Sequence, residues 1–142
     1  MSSAEFKYIR WDNTTASIEY RPFLTIKALG KNNNELNLES LIDSGSDDSL
    51  INIELAEALG VDLSVCHKVK LGGIGGGIVE GFESSLKFYI EELDFEFGIP
   101  VIFTDMSLAL IFGQKDFFAL FQIVFERKRG VFSLTTEPEL ES

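Results

Sequence analysis

One aspartate in this sequence stands where a carboxylate could be made to work. The run Leu41-Ile42-Asp43-Ser44-Gly45-Ser46 brings two apolar residues up to Asp43 and then turns. Glycine accepts backbone angles that a Cβ forbids, so Gly45 is expected where the turn needs them. Asp and Ser side chains hydrogen-bond main-chain groups in such turns. The expected product is a carboxylate on a rigid loop, flanked by hydroxyls and backbone N–H groups. A lone carboxylate near its usual pKa of about 4 is a poor proton shuttle at neutral pH. Two carboxylates about 3 Å apart behave differently, because both cannot ionise and they share one proton. The ionised member takes a proton from water while the protonated member polarises a carbonyl. The chain holds only one such turn, so the other half of the site must come from a second identical chain. A two-fold axis between the two Asp43 residues supplies it.

Asp-Ser-Gly alone is weakly specific, and two further stretches accompany it. Gly72-Gly73-Ile74-Gly75-Gly76-Gly77 does not complete the G-x-G-x-x-G spacing of a nucleotide cradle. From Gly73 the sixth residue is Ile78, and from Gly75 it is Glu80. A strand-like pattern follows rather than a helix, so no helix N-terminus faces a phosphate. The remaining functional reading is a mobile hairpin that closes over a ligand and excludes water, with Ile74 as the apolar contact at its tip. The third stretch, Ile111-Phe112-Gly113, reads by itself as a buried strand followed by a turn.

Together the three are more specific. Asp43-Ser44-Gly45-Ser46-Asp47-Asp48-Ser49-Leu50 resembles the active-site loop of the retroviral-type aspartic proteases, the retropepsins. The glycine stretch is similar to their flap tip, and Ile111-Phe112-Gly113 to the hydrophobic-hydrophobic-glycine segment beside their catalytic loop. The resemblance spans roughly residues 18–135. It implies a compact β fold, an obligate homodimer, a peptide or protein substrate, and peptide-bond hydrolysis by direct attack of water, with no metal or organic cofactor. Carried over by position, Asp43 is the catalytic carboxylate. The Ser44 hydroxyl ties the two loops across the dimer, and the Gly45 N–H faces the carboxylate. Asp47 and Asp48 contact substrate, and Ile74 with the N–H groups of Gly73, Gly75 and Gly76 meets the substrate carbonyls from the flap. Two positions depart from the viral pattern. Ser46 replaces the usual alanine, and its hydroxyl is expected to donate to the carboxylate and favour the ionised form. Gln114 replaces an arginine that braces Asp47 and the dimer. The alternative function is a catalytically weak or inactive protein of the same fold, acting as a peptide-binding or dimerisation module.

The elements that must position these residues follow from periodicity. Ile18 to Leu29 reads as a strand with Leu24, Ile26 and Ala28 on one face, bent or at an edge because of Pro22. Leu36, Leu38 and Ser40 alternate into Ile42. Ile51, Leu55, Ala58 and Leu59 recur at helical spacing, with Asn52 as N-cap and Gly60 as stop, so a short helix is expected there. Further strands are read at Val69 to Leu71, Leu86 to Ile90, Phe95 to Phe103 and Leu108 to Phe112. One or two helical turns are expected over Gln114 to Leu120. A closing hairpin is read around Arg127-Lys128-Arg129-Gly130. The fold class is therefore mainly β, a closed barrel or sandwich with one or two short helices and a β-hairpin flap. The expected division is an arm or edge strand at 1–17, the catalytic domain at 18–135, and an acidic tail at 136–142.

Composition bounds the partners. The 142 residues suit one domain. Net charge is −11, which disfavours nucleic acid. The single cysteine permits no internal disulfide and fits a cytoplasmic setting. No apolar run is long enough to span a bilayer. An EF-hand reading of Asp43 to Glu54 fails at Gly45 and Asp48, where an oxygen ligand and a glycine are needed. Cys66 and His67 are adjacent in a strand-like run and so point to opposite faces. Trp11 and the many phenylalanines are expected in the core or an interface, and Leu24, Ile26, Val101 and Phe103 on the cleft walls.

Overall fold

The computed structural model describes residues 2–12, 18–72 and 76–136. Alternating apolar residues become strands, as their period of two requires. A seven-stranded sheet forms the body. It is built from β4 (Phe23–Leu29), β5 (Glu35–Ile42), β6 (Leu50–Asn52), β7 (His67–Gly72), β8 (Ile78–Ile90), β9 (Phe95–Thr104) and β10 (Leu110–Phe112). Its order is β4-β5-β10-β6-β9-β8-β7, and β4 also pairs with β8, so the pairings run in a closed circuit. β1 (Ser3–Lys7), β12 (Val131–Thr136) and β11 (Phe121–Glu126) form a three-stranded sheet with β12 in the middle. β2 (Ile9–Asp12) pairs with β3 (Ile18–Arg21).

One connection organises the site. β10 lies between β5 and β6, parallel to the first and antiparallel to the second. The chain leaving β5 must therefore step over the end of β10 before it enters β6. Residues 43–49 make that step.

The core is rich in phenylalanine. Phe112 and Phe117 stack with ring centroids 4.3 Å apart, and Phe88 meets Phe112 edge-on at 5.2 Å. Edge-on and offset rings are the arrangements that aromatic quadrupoles favour. Leu24, Ile26, Val101 and Phe103 are all buried in this core, so they do not form cleft walls.

Three other expectations change. The stretch after Asn52 is not a regular helix. It is a single 3-10 turn, Ile53–Leu55, followed by turns to Gly60. The Asn52 side chain does cap it, accepting from Glu54 N at 2.9 Å, and Gly60 has the left-handed φ of 70°. Tertiary ties shorten it: Leu59 is wholly buried and its carbonyl accepts from Lys31 N at 2.9 Å. Residues 114–120 are likewise turns. The strand read from Ile18 to Leu29 is two strands, because Pro22 divides it and its carbonyl accepts from Ile42 N at 3.0 Å. No helix among the described residues is long and apolar enough to cross a membrane.

Candidate active site

Asp43 is half-buried at the end of β5. Its N–H donates to the Phe112 carbonyl at 3.0 Å, so the last rung of the parallel β5–β10 pairing sets its position. Its Oδ1 accepts from Gly45 N at 2.9 Å, and its carbonyl accepts from Ser46 N at 3.1 Å. The carboxylate is thus held by the turn that follows it.

Gly45 is required for space rather than for angle. It is not among the residues with positive φ. A Cβ there would stand 3.2 Å from Asp43 Oδ1, tighter than ordinary van der Waals contact. The carboxylate itself, rather than the backbone freedom expected from the turn, is the reason for the glycine.

The segment 113–115 supports the loop from below. A Cβ on Gly113 would lie 2.4 Å from the Asp48 carbonyl oxygen and 2.7 Å from that of Ser46. Only glycine passes there. The Gly113 N–H donates to the buried Ser49 hydroxyl at 3.2 Å. Gln114 N donates to Ser46 O at 2.9 Å and Lys115 N to Asp47 O at 3.0 Å. The Gln114 amide also reaches Ser44 O at 2.9 Å, so Gln114 ties the Asp43 turn within its own chain.

The Ser46 hydroxyl does not donate to Asp43. It donates to the Asp48 carbonyl at 2.7 Å and closes the loop on itself. The expected extra donor to the carboxylate is therefore absent from this chain's geometry. Ser44 and Asp47 are exposed. Asp48 is half-buried and pairs with Lys115 Nζ at 3.2 Å. That contact holds the Lys115 ammonium above its ordinary range. Behind the pair, burial pushes the Asp116 carboxyl up, and ionised Asp48 adds to the rise.

A cleft of about 330 Å³ opens beside Asp43 and Ser44. Trp11, Arg21, Phe23, Leu41, Leu108 and Phe125 are among its walls. Arg21 lies 5.8 Å from the Trp11 ring centre and bonds Glu19 through Nε at 3.1 Å. Sequence reasoning placed Trp11 elsewhere and did not single out Arg21, Leu108 or Phe125. These residues come from the β2–β3 hairpin, the segment before β10, and β11, and no local pattern joins them. The β7–β8 hairpin extends outward to the Gly72–Ile78 pair. The contacts expected of Gly73, Ile74 and Gly75 lie outside the described residues. Gly76 is exposed with a φ of 80°.

No family model matches the sequence, and no curated protein matches it. Solved structures do. A retropepsin-like aspartic protease from Rickettsia conorii aligns with a TM-score of 0.61 at 18% identity, over 93% of this chain and 90% of that one. The retroviral protease-like domain of Ddi1 from Leishmania major gives 0.51 at 20% identity, over 82% of this chain and 95% of that one. EIAV protease complexed with the inhibitor HBY-793 gives 0.50 at 20% identity, over 72% of this chain and 88% of that one. With β10 threaded between β5 and β6 beneath an Asp-Ser-Gly turn, the chain has the fold of the retropepsin-like aspartic proteases.

Proposed function

We propose that the chain is an aspartic endopeptidase that acts as a homodimer, with one Asp43 from each copy. The observation that supports this most is the Asp43 carboxylate itself. It is fixed by Gly45 N–H, braced from below by residues 113–115, and faces an open cleft. In the dimer the two carboxylates share one proton. The ionised Asp43 takes a proton from a water held between them, and that water's oxygen attacks the scissile carbonyl carbon. The protonated Asp43 gives its proton to the carbonyl oxygen. In the collapse of the resulting diol, the Asp43 that took water's proton gives it to the departing nitrogen, the other Asp43 takes a proton from a diol hydroxyl, and the C–N bond breaks to leave an acid and an amine. Asp47 and Asp48 hold the substrate beside the loop, and the β7–β8 hairpin closes over it with Gly73, Ile74, Gly75 and Gly76 as its tip. The single thiol, Cys66, suits a reducing aqueous compartment.

The test is cleavage of an unfolded protein by wild type, by Asp43→Asn, and by mixtures of the two. Wild type is expected to cut and Asp43→Asn to show background only. Excess Asp43→Asn chain should suppress wild-type activity well below its share, because mixed dimers carry one competent acid. A wild-type chain that dimerises but cuts nothing would instead favour the binding-module reading.

A further inference from the structure

A second concavity lies on the outer face of the body sheet. It measures about 530 Å³ and shares no wall residue with the cleft beside Asp43. Its floor is the β8–β9 pairing, where Ser85 stands opposite Pro100 and Lys87 opposite Gly98. Cross-strand partners and residues two apart share a face, so these four lie together on one side of the sheet. All four are exposed. Gly98 leaves the middle of the floor bare. A Cβ there would meet nothing nearer than Leu86 O and Lys87 Cγ, both at 3.8 Å, so the space above it is open.

The rim comes from the end of β4. Its last rung sets Leu29 opposite Lys87, and the chain then turns away from β8. Gly30 N–H donates to Asn34 O at 2.6 Å and Lys31 N–H to Leu59 O at 2.9 Å. A Cβ at Gly30 would lie 2.7 Å from that same Leu59 oxygen, so glycine is needed to make the turn. The turn fixes the backbone of Lys31, which lines the concavity together with Lys87.

Two ammonium groups therefore share one small site. Neither has an ion-pair partner among the described residues. No carboxylate among those residues lines the concavity. Glu96, the next residue of β9 on this face, stands opposite Tyr89 and is paired with neither lysine. Like charges brought together repel, and a bound anion removes that cost. Ser85 adds a hydroxyl, and Leu29 and Pro100 add apolar sides. Concave sites of this size, apolar with a few placed polar groups, are the kind that hold small organic ligands.

We propose that this concavity binds a small organic anion, an apolar body bearing a phosphate or a carboxylate. Lys31 and Lys87 take the charge, and the bare floor at Gly98 receives the body. The inference is independent of the proposed peptidase activity.

The test is calorimetric titration of the full-length chain with three probes of one shape: 1-naphthyl phosphate, 1-naphthoate and the neutral 1-naphthylmethanol. At least one anion is expected to bind at least tenfold more tightly than the alcohol, and the tighter of the two names the head group. Lys31→Gln and Lys87→Gln should each weaken that anion about tenfold, the loss expected for one charge-assisted hydrogen bond. Gly98→Leu should abolish binding by filling the floor. Its thermal melt should not fall, because an added side chain meets open space there. Failure of both anions to bind the wild type would overturn the proposal. So would an alcohol that binds as tightly as the anions, since the site would then be an apolar surface alone. Unchanged affinity in both lysine variants, or in a folded Gly98→Leu, would overturn it as well. A wild type that binds the anion but cleaves nothing would leave this site standing and remove the peptidase reading, and a chain that cleaves but binds no anion would do the reverse.

Discussion

The Asp43 carboxylate is controlled by atoms within two residues of it. Gly45 contributes a donor and, equally, the absence of a methyl group. Gly45→Ala is expected to keep the fold, because the added Cβ meets only Asp43 Oδ1. It should still lower the cleavage rate about tenfold, since a small displacement of a reacting group costs at least that much. Parallel thermal melts and turnover measurements check this, and an unchanged rate would show that the carboxylate tolerates the shift. Ser46 acts on the loop rather than on the acid, so Ser46→Ala is not expected to move a pH profile upward. A pH effect belongs instead to Asp116. Its carboxyl is raised above the ordinary 3.8 by burial first and by Asp48 second. The folded state therefore prefers the neutral acid. Its contribution is whole below the ordinary value and is lost as pH rises through the raised one. Asp116→Asn should raise the melting temperature at pH 7 and leave it unchanged near pH 3. An equal gain at both pH values would assign the effect to packing.

At the scale of elements, the loop depends on what lies under it. Residues 113–120 are held by Phe117, which is wholly buried and stacked on Phe112. Phe117→Ala is expected to destabilise the chain by about 3–5 kcal/mol. Val124→Ala, at an exposed site, should stay within about 0.5 kcal/mol. Urea titration of both distinguishes them, and equal effects would mean that the Phe112–Phe117 stack does not hold the segment. The strands and the Asp43 turn were legible because their signals are local: alternation over five or more residues, and a glycine two places after an acid. The short helix after Asn52 was misread for the same reason. Its spacing is helical, but the burial of Leu59 and its tie to Lys31 are tertiary and override it. Leu24, Ile26, Val101 and Phe103 show the limit of alternation. It marks an inward face without saying whether that face meets core or cleft. The cleft walls at Trp11, Arg21, Leu108 and Phe125 come from three separate segments, and nothing in the order of residues brings them together.

At the scale of the whole molecule, the proposed function makes the chain half of a catalytic pair. Activity per chain should therefore fall on dilution through the dimer dissociation constant, with Asp43 present throughout. A rate per chain independent of concentration, down to where sedimentation shows monomers, would exclude a shared site. In this chain a glycine is needed where β10 passes beneath the loop. At Gly113 two carbonyl oxygens leave no room for anything larger.

β8 runs for thirteen residues, roughly 40 Å, without a break. Among the described residues it has β7 alone beside it near Ile78, while from Lys87 to Tyr89 it is flanked by both β9 and β4. One strand therefore joins a singly flanked end to a stretch flanked on both sides. Amide deuteration should be fast at the outer end and slowest past Leu86, with the boundary near Gly81, where pairing with β9 begins. A ligand gripped by the hairpin would then register as slowed deuterium uptake along one half of β8, while its anchored half stays unchanged.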